Sequence, residues 1–307
     1  MVSGRHQRWA VAAVVVALLG WAAPTWADEV AWPKVRAKGL LLMDLSQQRV
    51  LFESNAGARL APASLTKVMT ALIAFEEGDL NSTVTISRHA ARATGHRLRL
   101  RAGQTFRLGD LIDAMLVTSA NDACRAVAEA IAGTEEQFVG KMNRYTEALG
   151  LPNTHFANAC GFDAPGHYST ANDLARLATT ALAHPGFDEA VKIHQSSLRS
   201  LDGRRSYRYR TTNRLMSSFD GAVGVKTGFT NRAGRCLIAR AIREEGDLLL
   251  VMLNAPRRWW DAQAMLTRGF ETLAASQRDE DGSPAWRRVE AAADSSAPST
   301  GAAILPL

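Results

Sequence analysis

Apolar residues are distributed along the chain in a pattern that predicts strands at its two ends and helices between them. Residues 40–45 and 49–53 are short apolar runs separated by a polar turn, which is the pattern of a β-hairpin. Residues 234–243 and 247–253 repeat this arrangement. We therefore predict an antiparallel sheet in which strands from both ends of the folded region meet.

The middle of the chain has the apolar spacing of α-helices. Residues 65–75 are mostly apolar on all sides, so this helix should be buried and Gly78 should end it. The same spacing predicts further helices over residues 108–117, 122–132, 135–149, 171–183 and 260–274. Strands at the ends and helices between them predict an α+β fold.

The two ends of the chain differ from this region. Residues 1–27 combine a basic start, an apolar run and small residues before residue 28, as a secretory signal peptide does. From residue 276 the chain is rich in Ser, Ala, Asp and Pro without an apolar period. We therefore predict one folded domain over residues 28–275, a disordered tail over 276–307, and a periplasmic location. The tail has no apolar stripe, so no stable membrane anchor is expected.

Charge and cysteine content exclude several classes of protein. The net charge of +6 would fall to +4 once Arg5 and Arg8 of the signal peptide are removed. This mild excess of basic residues is spread along the chain among acidic ones, which argues against a dedicated nucleic-acid surface. No spacing of His and Cys typical of metal ligands occurs, so we expect no metal or cofactor. The odd number of cysteines leaves at least one unpaired, and we interpret Cys124, Cys160 and Cys236 as small buried hydrophobic residues. Whether any two of them pair is left open.

The first candidate motif is PASLTKVMTA, residues 62–71, which places Ser64 three positions before Lys67 at a predicted helix start. Residues at this spacing share a helix face, so a neutral lysine amine could accept the serine proton. Only six of the 36 lysine and arginine residues are lysines, and an arginine could not be deprotonated at this position. The alternative is a helix-capping serine followed by an exposed lysine.

The second motif is VTSAND, residues 117–122, between two predicted helices. In an extended link, Ser119 and Asn121 would project to the same side. A hydroxyl can pass a proton, and an amide can hold a substrate carbonyl group. The alternative is a linker in which Asn121 and Asp122 cap a helix.

The third motif is GAVGVKTGFT, residues 221–230, where alternating Val and Thr predict a strand. Gly228 removes a side chain where a ligand could lie along the strand edge. Lys226 and Thr227 supply a cation and a hydroxyl group suited to a carboxylate. The alternative is an edge strand with a glycine turn.

The three motifs, in this order, resemble the Ser-x-x-Lys, Ser-x-Asn and Lys-Thr-Gly set of serine penicillin-binding proteins and β-lactamases. Segments such as TSANDACRAVAEAIAG and DGAVGVKTGFTNRAGRCLIARA are similar to D-alanyl-D-alanine carboxypeptidases of peptidase family S11, over about residues 35–273. The resemblance implies a DD-peptidase/β-lactamase-like fold. Its antiparallel sheet of about five strands is flanked by helices, with a mostly helical region beside the cleft.

The resemblance also implies catalytic roles. Ser64 would attack the carbonyl group between two terminal D-alanines, and Lys67 would accept its proton. Ser119 would pass a proton to the leaving D-alanine, while Asn121 holds the peptide. Lys226 would lower the pKa of its neighbours and bind the terminal carboxylate.

The substrate would lie along the third motif. Thr227 would share the carboxylate with the lysine before it, and Gly228 would leave room for the substrate. The backbone N–H groups of Ser64 and Phe229 would form an oxyanion hole. The implied partners are peptidoglycan stem peptides ending in D-Ala-D-Ala, with β-lactam antibiotics as covalent inhibitors.

Three features depart from the family pattern. Phe229 stands where some members have histidine, although its expected role uses only its backbone. Residues 95–98, GHRL, replace a small polar residue by His96 and Arg97, which would make the rim of the cleft more basic. After residue 273 the chain does not continue into the extra β-rich domain and amphipathic helix of many relatives, which puts membrane attachment in doubt.

Three other functions are compatible with parts of the pattern. A class A β-lactamase would carry Glu-x-x-Leu-Asn between Asn121 and Lys226, and this segment is not found. A D,D-endopeptidase would use the same groups on peptidoglycan cross-links. A catalytically silent binder of β-lactams or peptidoglycan peptides would not need the complete set of reactive side chains.

Overall fold

The computed structural model describes residues 31–279. The predicted signal peptide lies outside these residues, and so does the tail beyond residue 279. Within the described range, no helix has both the length and the apolar character needed to cross a membrane.

Strands and helices follow the predicted order. The strands are β1 (Gly39–Asp44), β2 (Arg49–Ser54), β3 (Thr83–Thr85), β4 (Thr105–Arg107), β5 (Gln195–Arg199), β6 (Ser206–Arg210), β7 (Ala222–Thr230), β8 (Gly234–Arg243) and β9 (Gly246–Leu253). The helices are α1 (Lys67–Glu77), α2 (Arg88–Ala91), α3 (Leu108–Thr118), α4 (Asn121–Ala132), α5 (Glu135–Ala148), α6 (Ala171–Leu182), α7 (Pro185–Val191) and α8 (Arg258–Asp279). A 3₁₀ turn, Ala63–Thr66, leads directly into α1.

The central sheet has five strands in the order β2-β1-β9-β8-β7, and every neighbouring pair is antiparallel. Gly39 pairs with Leu253, which confirms that strands from the two ends of the folded region meet. Strand β7, which carries the third motif, lies at one edge.

Helices cover both faces of this sheet. Successive side chains of a strand point to opposite faces, so each face has apolar side chains that a helix can bury. Leu41 and Leu249 belong to the large apolar cluster that includes the buried α1. On the opposite face, a side chain at Gly269 of α8 would lie 2.7 Å from Leu248 and 3.0 Å from Leu42. Glycine therefore allows close packing of α8 against the sheet.

Several elements were not anticipated from the sequence. The antiparallel strand pair β3 and β4, the hairpin β5–β6 and the short helices α2 and α7 have too few apolar positions to give a clear period. Helix α8 continues to Asp279, four residues beyond the domain boundary expected at residue 275. In this last turn Gln277 Nε2 donates to the Glu245 carbonyl (3.0 Å) and Ser276 Oγ donates to that of Thr272 (3.1 Å). The last turn of α8 is held by polar contacts. Such contacts give no apolar spacing in the sequence, so the pattern did not predict this turn.

Candidate active site

A strained turn holds Ser64 at the entrance to α1. Ala63, just before it, has a positive φ of 49°, a conformation that is unfavourable for residues with a side chain. A Cβ at Gly161 would overlap the Ala63 carbonyl group, so glycine is required where this loop passes the turn.

A buried hydrogen-bond chain supports the same turn. His167 Nδ1 accepts from the Ala157 N–H (2.9 Å), which leaves the ring proton on Nε2, 2.9 Å from Thr66 Oγ1. Thr66 Oγ1 in turn donates to the Ala63 carbonyl (2.8 Å). Burial lowers the pKa of His167 to about 4, so the ring is neutral at physiological pH and the chain of donors is complete.

Lys67 lies at the centre of the site and is fully buried. Its Nζ is 3.0 Å from Ser64 Oγ, 2.7 Å from Asn121 Oδ1 and 2.6 Å from the Cys160 carbonyl oxygen. A neutral amine has two N–H donors and one lone pair. If the amide and carbonyl oxygens take the two donors, the lone pair is directed at the Ser64 hydroxyl group.

The electrostatic surroundings favour this neutral form. Burial is the main factor that lowers the pKa of Lys67, and the charge of Lys226 lowers it further, while Glu135 opposes both effects. A buried lysine beside a second cation is the arrangement expected of a general base. Geometry and charge therefore support the role expected from the sequence.

The second motif has a different backbone from the one we expected. Ser119 is left-handed, with φ 64° and ψ 31°, and ends α3, while Asn121 is already the first residue of α4. The prediction of an extended link is therefore wrong, because the two helices follow each other so closely that a left-handed residue is needed to reverse the chain.

The amide of Asn121 is nevertheless oriented towards the site. Its Nδ2 donates to the Thr94 carbonyl (2.7 Å), which leaves Oδ1 to accept from Lys67. Its backbone N–H donates to the His96 carbonyl (2.8 Å), so the loop after Gly95 does lie beside the site. The Ser119 hydroxyl group makes no hydrogen bond to another described residue, and its relay role stays a prediction.

The third motif lies on the edge strand β7, which packs against the strained turn that holds Ser64. A Cβ at Gly228 would lie 3.1 Å from the Ser64 nitrogen and 3.1 Å from Ala63 Cβ, so a side chain there would disturb the turn. Thr227 Oγ1 is 2.6 Å from Thr212 Oγ1. The Phe229 side chain is 61% exposed, in keeping with an expected role that uses only its backbone.

Lys226 is also fully buried. Its Nζ donates to the Thr227 carbonyl oxygen (3.0 Å). Burial, and then the charge of Arg258, lower its pKa to about 7. Because this pKa lies near neutral pH, a bound anion would favour the charged form of Lys226.

Two further polar residues at the site were missed in the sequence. Arg258 begins α8, and its Nη1 donates to the carbonyl groups of Gly228 (2.8 Å) and Cys236 (3.0 Å). Thr212 contacts the third motif directly and donates its backbone N–H to the Val117 carbonyl (3.2 Å). Neither residue lies in a motif, and one arginine among so many carries no signal of its own.

The structure answers the question of cysteine pairing that the sequence left open. Cys124 and Cys160 form a disulfide with their Cα atoms 5.9 Å apart, while Cys236 is free and buried. The disulfide joins the first turn of α4 to the loop whose carbonyl oxygen accepts from Lys67. Their separation of 36 positions gave no local sign of this pairing.

No group of three or more metal-ligating side chains is arranged to hold a metal ion in residues 31–279. The reactive groups brought together are instead a hydroxyl, two lysine amines and an amide. This arrangement is suited to acyl transfer through a serine ester.

Comparison with known proteins identifies the family. A family model described as D-alanyl-D-alanine carboxypeptidase, peptidase S11, matches residues 27–257. The chain belongs to the peptidase S11 family. This S11 chain is 36% identical over 224 residues to D-alanyl-D-alanine carboxypeptidase DacF of Bacillus subtilis, covering 71% of the chain and 57% of that relative.

Two further comparisons support the assignment. The S11 chain is 37% identical over 253 residues to D-alanyl-D-alanine carboxypeptidase DacC of Escherichia coli, covering 78% of the chain and 62% of that relative. It therefore spans about three fifths of the length of these curated relatives. The crystal structure of the Streptomyces K15 DD-transpeptidase matches 79% of the chain and 100% of its own with a TM-score of 0.75 at 29% identity. The expected DD-peptidase fold is confirmed.

Proposed function

We propose that this S11 protein is a serine D-alanyl-D-alanine carboxypeptidase that removes the terminal D-alanine from peptidoglycan pentapeptides. The observation that carries the proposal is the fully buried Lys67, whose Nζ lies 3.0 Å from Ser64 Oγ with two further oxygen acceptors around it. The activity in the names of the family and its relatives supports the same reaction.

The proposed reaction has two halves. Ser64 Oγ attacks the carbonyl carbon of the penultimate D-alanine and its proton passes to Lys67. The bond from this carbon to nitrogen then breaks, and the proton reaches the leaving amine through Ser119. A water molecule, which loses a proton to Lys67, hydrolyses the ester and regenerates the Ser64 hydroxyl group.

The remaining groups bind the substrate. Asn121 holds the peptide, while Lys226 and Thr227 bind the terminal carboxylate. Gly228 lets the substrate lie close to the strand, and the backbone N–H groups of Ser64 and Phe229 stabilise the oxyanion. We place the reaction in the periplasm, where stem peptides ending in D-Ala-D-Ala and β-lactam inhibitors would both reach the site.

A covalent adduct tests the nucleophile. After incubation with benzylpenicillin, mass spectrometry should find the penicilloyl group on the peptide that contains Ser64, and Ser64→Ala should abolish the adduct. An adduct on a different residue would sink the assignment. Rapid turnover of a chromogenic cephalosporin would indicate a β-lactamase instead.

The substrate is tested separately. The purified protein should release D-alanine from a pentapeptide faster than it cleaves a cross-linked peptide dimer, with both products followed in the same mixture. Preferential loss of the dimer would identify a D,D-endopeptidase. Binding of penicillin without cleavage of either peptide would identify a non-catalytic binder.

A further inference from the structure

The positive charge is less evenly spread among acidic residues than we expected, because the hairpin β5–β6 holds most of the excess. Residues Gln195–Arg210 contain five arginines and one aspartate, a net charge of +4, in a chain whose net charge is +6. Such a concentration of charge creates a local positive potential even though the protein as a whole is only mildly basic. The hairpin is therefore a candidate surface for an anionic partner.

The strand register places arginines together on the solvent side of this hairpin. Ser197 pairs with Arg208, Gln195 with Arg210, and Arg199 with Ser206. All six of these residues are exposed, whereas Leu198 and Tyr209 in the alternate positions are buried. We call Arg199, Arg208 and Arg210 the arginine face. The rest of this side of the hairpin is Ser and Gln, so no acidic residue interrupts it.

The arginine face is not neutralised by acidic side chains within residues 31–279. None of its three guanidinium groups forms an ion pair with a described residue. The hairpin's only acid, Asp202, accepts from Ser200 Oγ (2.6 Å) and from the Arg204 N–H (3.0 Å) in the turn. By contrast, the structural Arg240 pairs with Asp188 at 2.6 Å.

The hairpin is fixed beside the cleft. The Leu201 N–H donates to the Thr105 carbonyl (2.9 Å), and Tyr207 Oη donates to Gln104 Oε1 (2.8 Å). Two residues after Arg210, Thr212 contacts Thr227 of the third motif at 2.6 Å. A polymer whose end lies at the third motif would thus be next to the strand that carries Arg208 and Arg210.

We propose that the arginine face binds carboxylates of the peptidoglycan strand whose stem peptide occupies the active site. The inference rests on the proposed function, because peptidoglycan is the anionic partner only if it is also the substrate. Stem peptides carry free carboxylates at repeated positions, and guanidinium groups bind carboxylates through paired hydrogen bonds. The face therefore increases affinity for polymeric substrate without taking part in bond cleavage.

A triple variant, Arg199→Gln with Arg208→Gln and Arg210→Gln, tests this role. A matched control is Arg49→Gln with Arg144→Gln and Arg176→Gln. It removes the same charge from three exposed arginines that lie on other elements and form no ion pair with a described residue. The hairpin variant should lose about tenfold in kcat/KM for D-alanine release from polymeric peptidoglycan, through KM. It should release D-alanine from a short capped peptide, and react with benzylpenicillin, at the rate of the wild type and the control.

Direct binding makes the test independent of catalysis. Co-sedimentation with purified peptidoglycan should weaken in the hairpin variant alone, and salt should weaken wild-type binding more than binding of the variant. Equal sedimentation of the hairpin variant and the control would overturn the proposal. So would unchanged peptidoglycan binding combined with lost binding to phosphatidylglycerol vesicles, which would identify a membrane as the partner.

The two proposals fail in different ways. A wild-type protein that binds peptidoglycan through the arginine face but releases no D-alanine from either substrate would contradict the carboxypeptidase activity and leave the surface supported. Normal D-alanine release with no effect of the hairpin variant would contradict the surface alone.

Discussion

Lys67 and Lys226 are both fully buried at the candidate active site, one at the start of α1 and the other on the edge strand β7. Lys67 Nζ has three oxygen neighbours from three parts of the chain, including Ser64 Oγ. Lys226 Nζ donates to a main-chain oxygen of the adjacent residue and to no side chain among the described residues. Burial lowers the pKa of both lysines, so the neighbours rather than the burial distinguish the proposed base from the proposed binding charge.

The two lysines also differ in what holds their surroundings. The carbonyl oxygen beside Lys67 belongs to Cys160, which is tied to α4 by the disulfide. The surroundings of Lys226 are set by strand pairing and by Arg258 at the start of α8. Proton transfer needs a fixed geometry between two atoms. Carboxylate binding needs mainly a positive charge close to the carboxylate group.

Substitution of each lysine by arginine gives the largest expected effect. Lys67→Arg should slow acylation by benzylpenicillin by about 10²- to 10⁴-fold, the usual contribution of a general base, because a guanidinium cannot be deprotonated. Lys226→Arg keeps the charge and should cost about 1.5 kcal/mol, roughly tenfold in rate. Stopped-flow measurement of adduct formation compares them, and equal losses would contradict the division of roles.

Removal of the disulfide should affect the surroundings of Lys67 but not those of Lys226. The double variant Cys124→Ala with Cys160→Ala should lower the free energy of unfolding in urea by about 2–4 kcal/mol. In the folded protein it should slow the acylation step more than it weakens initial penicillin binding. Cys236→Ala, which removes the free thiol, is the control. An unchanged acylation step would show that the loop holds its position without the disulfide.

Charge substitutions on either side of Lys67 should shift its titration in opposite directions. Lys226→Met removes a charge that lowers the pKa of Lys67, so the rise of acylation rate with pH should move to higher pH. Glu135→Gln removes a charge that raises this pKa, so the rise should move to lower pH. Each shift should be about one pH unit or less. Shifts in the same direction would exclude Lys67 as the group that titrates in the pH–rate profile.

Truncation of the C-terminal end should have the smallest effect. It tests whether the last turn of α8 contributes only to stability or also to the active site, which the first residue of this helix contacts. A chain ending at Asp279 should match the full-length protein in acylation and, within about 0.5 kcal/mol, in unfolding free energy. A chain ending at residue 275 loses the hydrogen bond from Gln277 to Glu245. Its free energy of unfolding should be lower by about 1 kcal/mol. Both should keep Arg258 in place and acylate normally. Slower acylation by the shorter chain would show that the last turn supports the Lys226 side of the cleft.

Much of the fold and the core of the site could be predicted from the sequence because the relevant signals are local. Apolar spacing predicted the hairpin of β1 and β2, the strand pair β8 and β9, and the buried helix α1. The spacing of Ser64 and Lys67 is itself a contact, because residues three apart face each other across one helical turn. Local spacing failed at Ser119, where a left-handed residue replaced the expected extended link.

Only the tertiary structure decided which distant groups complete the site. Asn121 reaches Lys67 across 54 positions, and Cys124 pairs with Cys160 across 36. Arg258 contacts the carbonyl of Gly228 from 30 positions away. These contacts depend on how the central sheet and the packed helices bring separate segments together, and no periodicity within one segment encodes that packing. The sequence by itself determined the reactive groups and the elements that carry them, while the tertiary structure decided their neighbours and therefore their pKa values and the roles that we propose for them.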